Sequence, residues 1–85
     1  MNADADKVDD AVLAMLFLTS FRERPEFAWS AWKGLDWDAL GRLHAKGLIS
    51  NPVGKAKSVV FSDEGFAVAK AAFERLCMKP GAESA

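Results

Sequence analysis

The first long run of apolar residues predicts a helix that is hydrophobic nearly all the way round. It spans residues 7–24, with Asp6 as the cap of its first amides and Pro25 as its stop. A surface helix is apolar on about 100° of its circumference only. Two interpretations follow and both stay open here: this helix is the central helix of the fold, or one of its faces packs on another chain.

Two shorter helices are predicted next along the chain. Residues 26–33 place two of the three tryptophans three positions apart, which is one face of a short helix. Residues 37–46 form the following helix, because Asp36 is a suitable N-cap and Gly47 suits the left-handed position that ends many helices.

The hydrophobic period changes after Gly47. Residues 48–49 and 57–61 are rich in β-branched and aromatic side chains, and the turn residues between them indicate a two-stranded hairpin. Ser62 then caps a last helix that ends at about residue 78. Cys77 follows the apolar spacing of that helix, so it is expected to be a small buried side chain.

This order of elements is that of a winged helix-turn-helix domain. The expected fold class is therefore mainly α with a small two-stranded β-wing. A single domain is predicted over residues 7–78, with a flexible N-terminus (1–6) and a flexible tail (79–85). The surplus apolar face of the first helix, together with the last helix, predicts a homodimer.

Two short motifs resemble bacterial winged-helix regulators. The pattern Leu40-x-x-Leu43-x-x-x-Gly47-Leu48-Ile49 resembles the end of a recognition helix and the first wing strand. Phe61-Ser62-Asp63-Glu64-Gly65 is similar to the L-T-x-x-G that opens the helix after the wing in the multiple-antibiotic-resistance and phenolic-acid repressor families. The resemblance implies dimerisation through terminal helices and a DNA-binding wing.

The chain also resembles, over nearly its whole length, a family of small uncharacterised bacterial proteins. That family carries no assigned activity, so the resemblance implies no function. The matching stretches are residues 7–14, 31–40, 42–44, 46–50 and 55–60.

Composition narrows the classes of function. With 85 residues the chain holds one domain, and its single Cys and single His exclude a disulfide framework and a one-chain structural zinc site. The longest apolar run is residues 11–18, too short for a membrane span, and the acidic start is the reverse of a signal peptide. We expect a cytoplasmic protein without a metal or other cofactor.

Charge is polarised along the chain, although the net charge is −1. The stretch from 33 to 58 carries five bases and two acids, which favours contact with DNA. The leading prediction is therefore a small DNA-binding protein that resembles a transcription regulator. Arg42 is placed to read a guanine and Lys46 to reach a phosphate, with Lys55 and Lys57 on the wing. Two acids at the start of the same helix oppose this interpretation because they repel phosphates.

Aromatic residues support an alternative function, a protein-interaction module. Tryptophan is typical of protein hot spots, and here Trp32 and Trp37 combine with Phe17 and Phe21 of the first helix. The competing interpretation is that these side chains fill the core of a small domain.

Catalysis is the least favoured class, and the chain is predicted not to be an enzyme. A small hydrolase would need His44 and Cys77 to converge as base and nucleophile, and no third residue is evident to orient them.

Overall fold

The computed structural model describes residues 4–77, which form three helices and a two-stranded antiparallel sheet. The fold class is the predicted one: mainly helical with a small sheet, in a winged-helix-like layout. The predicted flexible tail (79–85) and the first three residues lie outside the described residues. The elements are α1 (Ala5–Leu18), β1 (Ser30–Trp32), α2 (Trp37–Ala45), β2 (Ser58–Val60) and α3 (Asp63–Cys77).

The first helix is shorter than predicted and begins two residues earlier. Asp4 rather than Asp6 is the N-cap, and its carboxylate accepts hydrogen bonds from the backbone amides of Asp6 and Lys7. The helix ends before the predicted stop because Thr19 and Ser20 turn their hydroxyls back onto its last carbonyls, at 3.0 and 2.7 Å.

Helix α1 is the central element of the fold, as the first interpretation of its apolar surface predicts, and packing of one of its faces on another chain stays a prediction. It packs against α3, α2 and β1. Its inward side chains include Val12, Leu13 and Leu16, all at most 7% exposed. Two apolar side chains of α1, Met15 and Leu18, nevertheless remain exposed.

The predicted helix over residues 26–33 is wrong, because this segment contains strand β1. Ser30, Ala31 and Trp32 pair with Val60, Val59 and Ser58 of β2. Ala31 and Val59 are both fully buried in the core. Pairing across the sheet satisfies the backbone of the segment, and tertiary contacts override the helical spacing of the tryptophans.

Strand β2 also pairs with a different segment from the one predicted, with β1 instead of residues 48–49. Residues 48–49 do not form a full strand; a single bridge joins Ile49 to Phe61. On the other side of the sheet, Phe21 makes a single bridge to Ser30. Phe21 therefore lies at the outer edge of β1, and Ile49 lies at the outer edge of β2, each joined to the sheet by a single bridge.

Helix α3 starts as the sequence predicts. The hydroxyl of Ser62 accepts from the amide of Gly65 at 2.9 Å and donates to the carbonyl of Gly47 at 2.7 Å. The cap thereby ties α3 to the end of α2. At the other end of α3, Cys77 is exposed, so the prediction that it is buried is wrong. It lies in the last turn, beyond the packed part of the helix.

Candidate functional site

A buried carboxylate of α1 binds the two cations that the sequence assigns to DNA. Asp9 is 3% exposed. Its oxygens accept from Arg42 Nε at 3.0 Å and from Arg42 Nη2 at 2.7 Å. Lys46 Nζ lies 3.4 Å away on the same carboxylate. The cluster of these three residues, the Asp9 cluster, joins α1 to α2.

Hydrogen bonds from Arg42 hold the pKa of Asp9 below its ordinary value of 3.8. Burial opposes this shift, and Lys46 adds to it. The same hydrogen bonds raise the pKa of Arg42. Because the guanidinium fork already donates to Asp9, it is not presented to a base edge in this structure.

Sequence reasoning missed the Asp9 cluster. Asp9 is explained equally well as an acid in the first turn of α1, where the helix dipole favours it. The available signal is its spacing: Asp9 lies three, four and seven positions before the buried Val12, Leu13 and Leu16, on the inward face of the helix.

The other two predicted DNA contacts lie apart from this cluster, on the loop before β2. This wing loop (residues 51–57) carries Lys55 and Lys57, both exposed. Lys33 Nζ donates to the carbonyls of Pro52 and Gly54, at 2.6 and 3.0 Å. The wing loop is therefore fastened to the chain that follows β1.

The outer face of the sheet carries exposed apolar side chains. Since side chains alternate along a strand and Ala31 points into the core, its neighbours Ser30 and Trp32 point outward. Trp32 is 55% exposed, and its ring centroid lies 5.0 Å from that of Phe21. The outer sheet face comprises Phe21, Ser30, Trp32, Ser58 and Val60.

Two cavities adjoin the outer sheet face. The larger, about 430 Å³, is called the sheet-end cavity; its apolar side chains include Phe21, Phe27 and Val60, and its charged ones Arg22, Glu23 and Glu26. The smaller, about 160 Å³, is an apolar groove at the opposite end of β1, lined by Met15, Thr19, Trp32, Gly34 and Leu35. Together they place a recess on each side of the pair formed by Phe21 and Trp32, an apolar one beside Trp32 and a partly charged one beside Phe21.

Of the four residues predicted to contact a protein partner, two lie on the outer sheet face and two do not. Phe21 and Trp32 lie together on the outer sheet face. Phe17 packs inward instead, with its ring centroid 5.3 Å from Phe66 and 5.2 Å from Phe73. Trp37 is 57% exposed at the start of α2, with Lys33 Nζ 5.8 Å from its ring centroid.

The apolar surfaces of the two terminal helices, which were predicted to form a dimer, pack mostly against each other in the same chain. Helices α1 and α3 pack on each other. Leu18 and Leu76 remain more than half exposed. Dimerisation through these helices stays a prediction.

His44 and Cys77 have separate surroundings. His44 Nδ1 is 3.1 Å from the carbonyl oxygen of Ile49, which can only accept. Within residues 4–77 no hydrogen bond joins His44 to Cys77. The same residues contain no group of three potential metal ligands.

No helix in the described part of the chain has the length and apolar character needed to cross a membrane.

Fold and surface together define a small, mainly helical domain of winged-helix-like layout with an exposed aromatic face. The chain belongs to the family defined by a domain of unknown function, DUF6429, whose model matches residues 4–79. It is 51% identical over 76 residues to the uncharacterized protein y4hR of Sinorhizobium fredii (strain NGR234), covering 89% of this chain and 96% of the relative. No solved structure matches the chain significantly.

Proposed function

We propose that this chain is a small protein-binding module and that the outer sheet face is its contact surface. The observation that carries the proposal is the exposure of Trp32, whose ring contacts that of Phe21 in a tilted pair between two recesses. Trp is the residue most enriched at the energetic centres of protein interfaces. An exposed pair of contacting aromatic rings flanked by recesses is typical of such a centre.

The distribution of charged residues favours a protein over DNA as the partner of this chain. Two of the four candidate DNA contacts, Arg42 and Lys46, are paired with Asp9. The acids Asp36 and Asp38 lie at the start of the same helix. A net charge of −1 adds no long-range attraction to phosphates.

Photo-crosslinking tests the proposal. Benzoylphenylalanine placed at Phe27, which lines the sheet-end cavity and is 50% exposed, is expected to yield a defined protein adduct in bacterial cells that encode the chain. Trp32→Thr is expected to reduce the adduct yield about 30-fold, the factor that corresponds to a hot spot of about 2 kcal/mol. The adduct is measured by immunoblot and identified by mass.

Two controls make the crosslinking specific. Trp37→Ala removes an equally exposed tryptophan from α2 and is expected to leave the adduct unchanged. The same crosslinker at Leu76, on α3, is expected to give none. Absence of any Phe27 adduct, or loss of it in Trp37→Ala alone, would contradict the proposed surface.

DNA binding is the second candidate, and the wing loop favours it. Lys55 and Lys57 are exposed, and the loop that carries them is held by Lys33. A wing with two free lysines can contact the phosphate backbone.

Fluorescence anisotropy with a mixed-sequence duplex tests this second candidate. Binding at about 50 mM salt is expected to weaken steeply by 200 mM, and Lys55→Ala/Lys57→Ala is expected to lower the slope against log salt by about 2. Lys7→Ala/Lys70→Ala removes the same charge from other exposed positions and is expected to leave the slope unchanged. No binding at the lowest salt would exclude DNA.

A further inference from the structure

We propose that the protein covering the outer sheet face is a second copy of this chain, bound so that the wing loop of each copy enters the sheet-end cavity of the other. The inference rests on the proposed function, because it names the partner of the same surface. Three observations carry it: the placement of loop and cavity along the strands, their opposite charges, and the aromatic pair between them.

The wing loop and the sheet-end cavity lie at opposite ends of the same two strands. The wing loop leads into Ser58, which pairs with Trp32, and the amide of Lys33 donates to the carbonyl of Lys57 at that end. Val60 and Ser30 pair at the other end and line the cavity. Consider a two-fold axis that is parallel to the sheet plane and perpendicular to the strands. It places the outer sheet faces of two copies against each other with their strands reversed, so the loop end of each copy faces the cavity end of the other.

Loop and cavity have complementary chemistry. The wing loop carries Lys55 and Lys57, both exposed, and Val53, which is 74% exposed. The cavity presents Glu23 and Glu26, and neither carboxylate takes part in the ion pairs formed within residues 4–77. In the proposed dimer, Val53 packs against the apolar side chains that line the cavity, Phe21, Phe27 and Val60.

The cations near the cavity do not cancel this acidity. Arg22 also lines the cavity, and its guanidinium, 4.8 Å from the ring centroid of Trp29, keeps its positive charge. The two glutamates against this one arginine leave the lining with a net charge of −1, opposite in sign to the two lysines of the wing loop. Arg24 does not line the cavity. With a volume of about 430 Å³, the cavity is within the size range of binding clefts in proteins.

The aromatic pair of Phe21 and Trp32 lies between the two contacts. In a two-fold arrangement this pair meets its own copy at the centre, while the loop and cavity contacts are each made twice. A surface that contacts itself in this way is isologous and closes as a dimer. Charged contacts at the edge of an aromatic centre set the orientation of the two copies.

Complementary charge reversal tests the inference. The loop variant Lys55→Glu/Lys57→Glu and the cavity variant Glu23→Lys/Glu26→Lys are each expected to weaken self-association at least about tenfold, because like charges then face each other. Mixed in equal amounts, they are expected to form a heterodimer within about threefold of the wild-type affinity, since both contacts are restored. Sedimentation velocity at about 150 mM salt measures the dissociation constants, and circular dichroism verifies folding.

A second pair of variants distinguishes this specific contact from the effect of net charge on self-association. Lys7→Glu/Lys70→Glu and Glu64→Lys/Glu74→Lys change four exposed residues elsewhere and carry the same net charges, −1 − 4 = −5 and −1 + 4 = +3. Each is expected to self-associate within about threefold of wild type, because screening limits the effect of distant surface charge. Equal weakening of this pair, or no heterodimer from the first pair, would overturn the inference.

The two proposals fail differently. A Phe27 adduct with the mass of another protein leaves the protein-binding function in place and excludes a second copy as the partner. No adduct at all contradicts both.

Discussion

Replacing Asp9 by alanine is expected to lower the free energy of unfolding by about 1.5–3 kcal/mol, the range for hydrogen bonds to charged groups. The change removes a buried acceptor that holds α2 against α1. The cost stays below that of breaking a fully buried ion pair, because Arg42 and Lys46 are 38% and 50% exposed and regain water. Urea denaturation followed by tryptophan fluorescence measures the loss.

The adjacent Asp10→Ala is the matched control. Asp10 also binds a cation, Arg75 at 3.2 Å, but both side chains are about half exposed. Exposed pairs contribute about 0–1 kcal/mol, so this variant is expected to lose less than about 1 kcal/mol. Equal losses in the two variants would contradict a special role for the Asp9 cluster.

The same cluster predicts how stability depends on pH. A carboxyl whose pKa is lowered on folding stabilises the fold above its unfolded pKa, and the contribution is lost as the pH falls through the folded value. The difference in unfolding free energy between wild type and Asp9→Asn is therefore expected to be constant above about pH 5 and to shrink below about pH 4. A difference that grows on acidification would contradict the lowered pKa.

Replacing Gly65 by alanine is expected to cost about 3 kcal/mol or more, the upper range for overpacking, or to prevent folding. A Cβ atom at this position would overlap the carbonyl group of Leu48, with the oxygen nearest. That carbonyl cannot move freely, because the amide of Ser62 donates to it at 3.0 Å. Thermal unfolding monitored by circular dichroism measures the effect.

Gly41→Ala provides a control with the opposite sign. Gly41 is exposed in the middle of α2, and no neighbouring atom lies within 4 Å of the position that a Cβ atom would take there. Alanine at this site is expected to stabilise the chain by up to about 1 kcal/mol through helix propensity. If Gly41→Ala destabilised the chain as much as Gly65→Ala, close approach to Leu48 would not be the cause.

Local signals in the sequence predict helices α2 and α3 well. Asp36 caps α2, and its carboxylate accepts from the amide of Ala39 at 3.1 Å. Gly47 follows with φ +77°, the left-handed conformation expected after a helix. Ser62 caps α3. Each of these features depends on residues within three or four positions, so a single sequence contains them.

Features that depend on contacts between residues far apart in the sequence could not be predicted in the same way. Strand β1 exists because Ala31 pairs with Val59, 28 positions later, and its own spacing suggests a helix. Arg42 and Lys46 look free for DNA until the fold brings Asp9 against them. Trp32 becomes outward-facing only through the strand alternation that the helix prediction missed.

The association state of the chain tests the central claim most directly. Sedimentation equilibrium of the wild-type protein is expected to show a reversible rise from the 9.2 kDa monomer to twice that mass, whereas Trp32→Thr stays monomeric over the same concentrations. Trp37→Ala is expected to follow the wild type. A wild-type protein that remains a monomer throughout, or a Trp32→Thr protein that dimerises equally, would contradict a second copy on the outer sheet face.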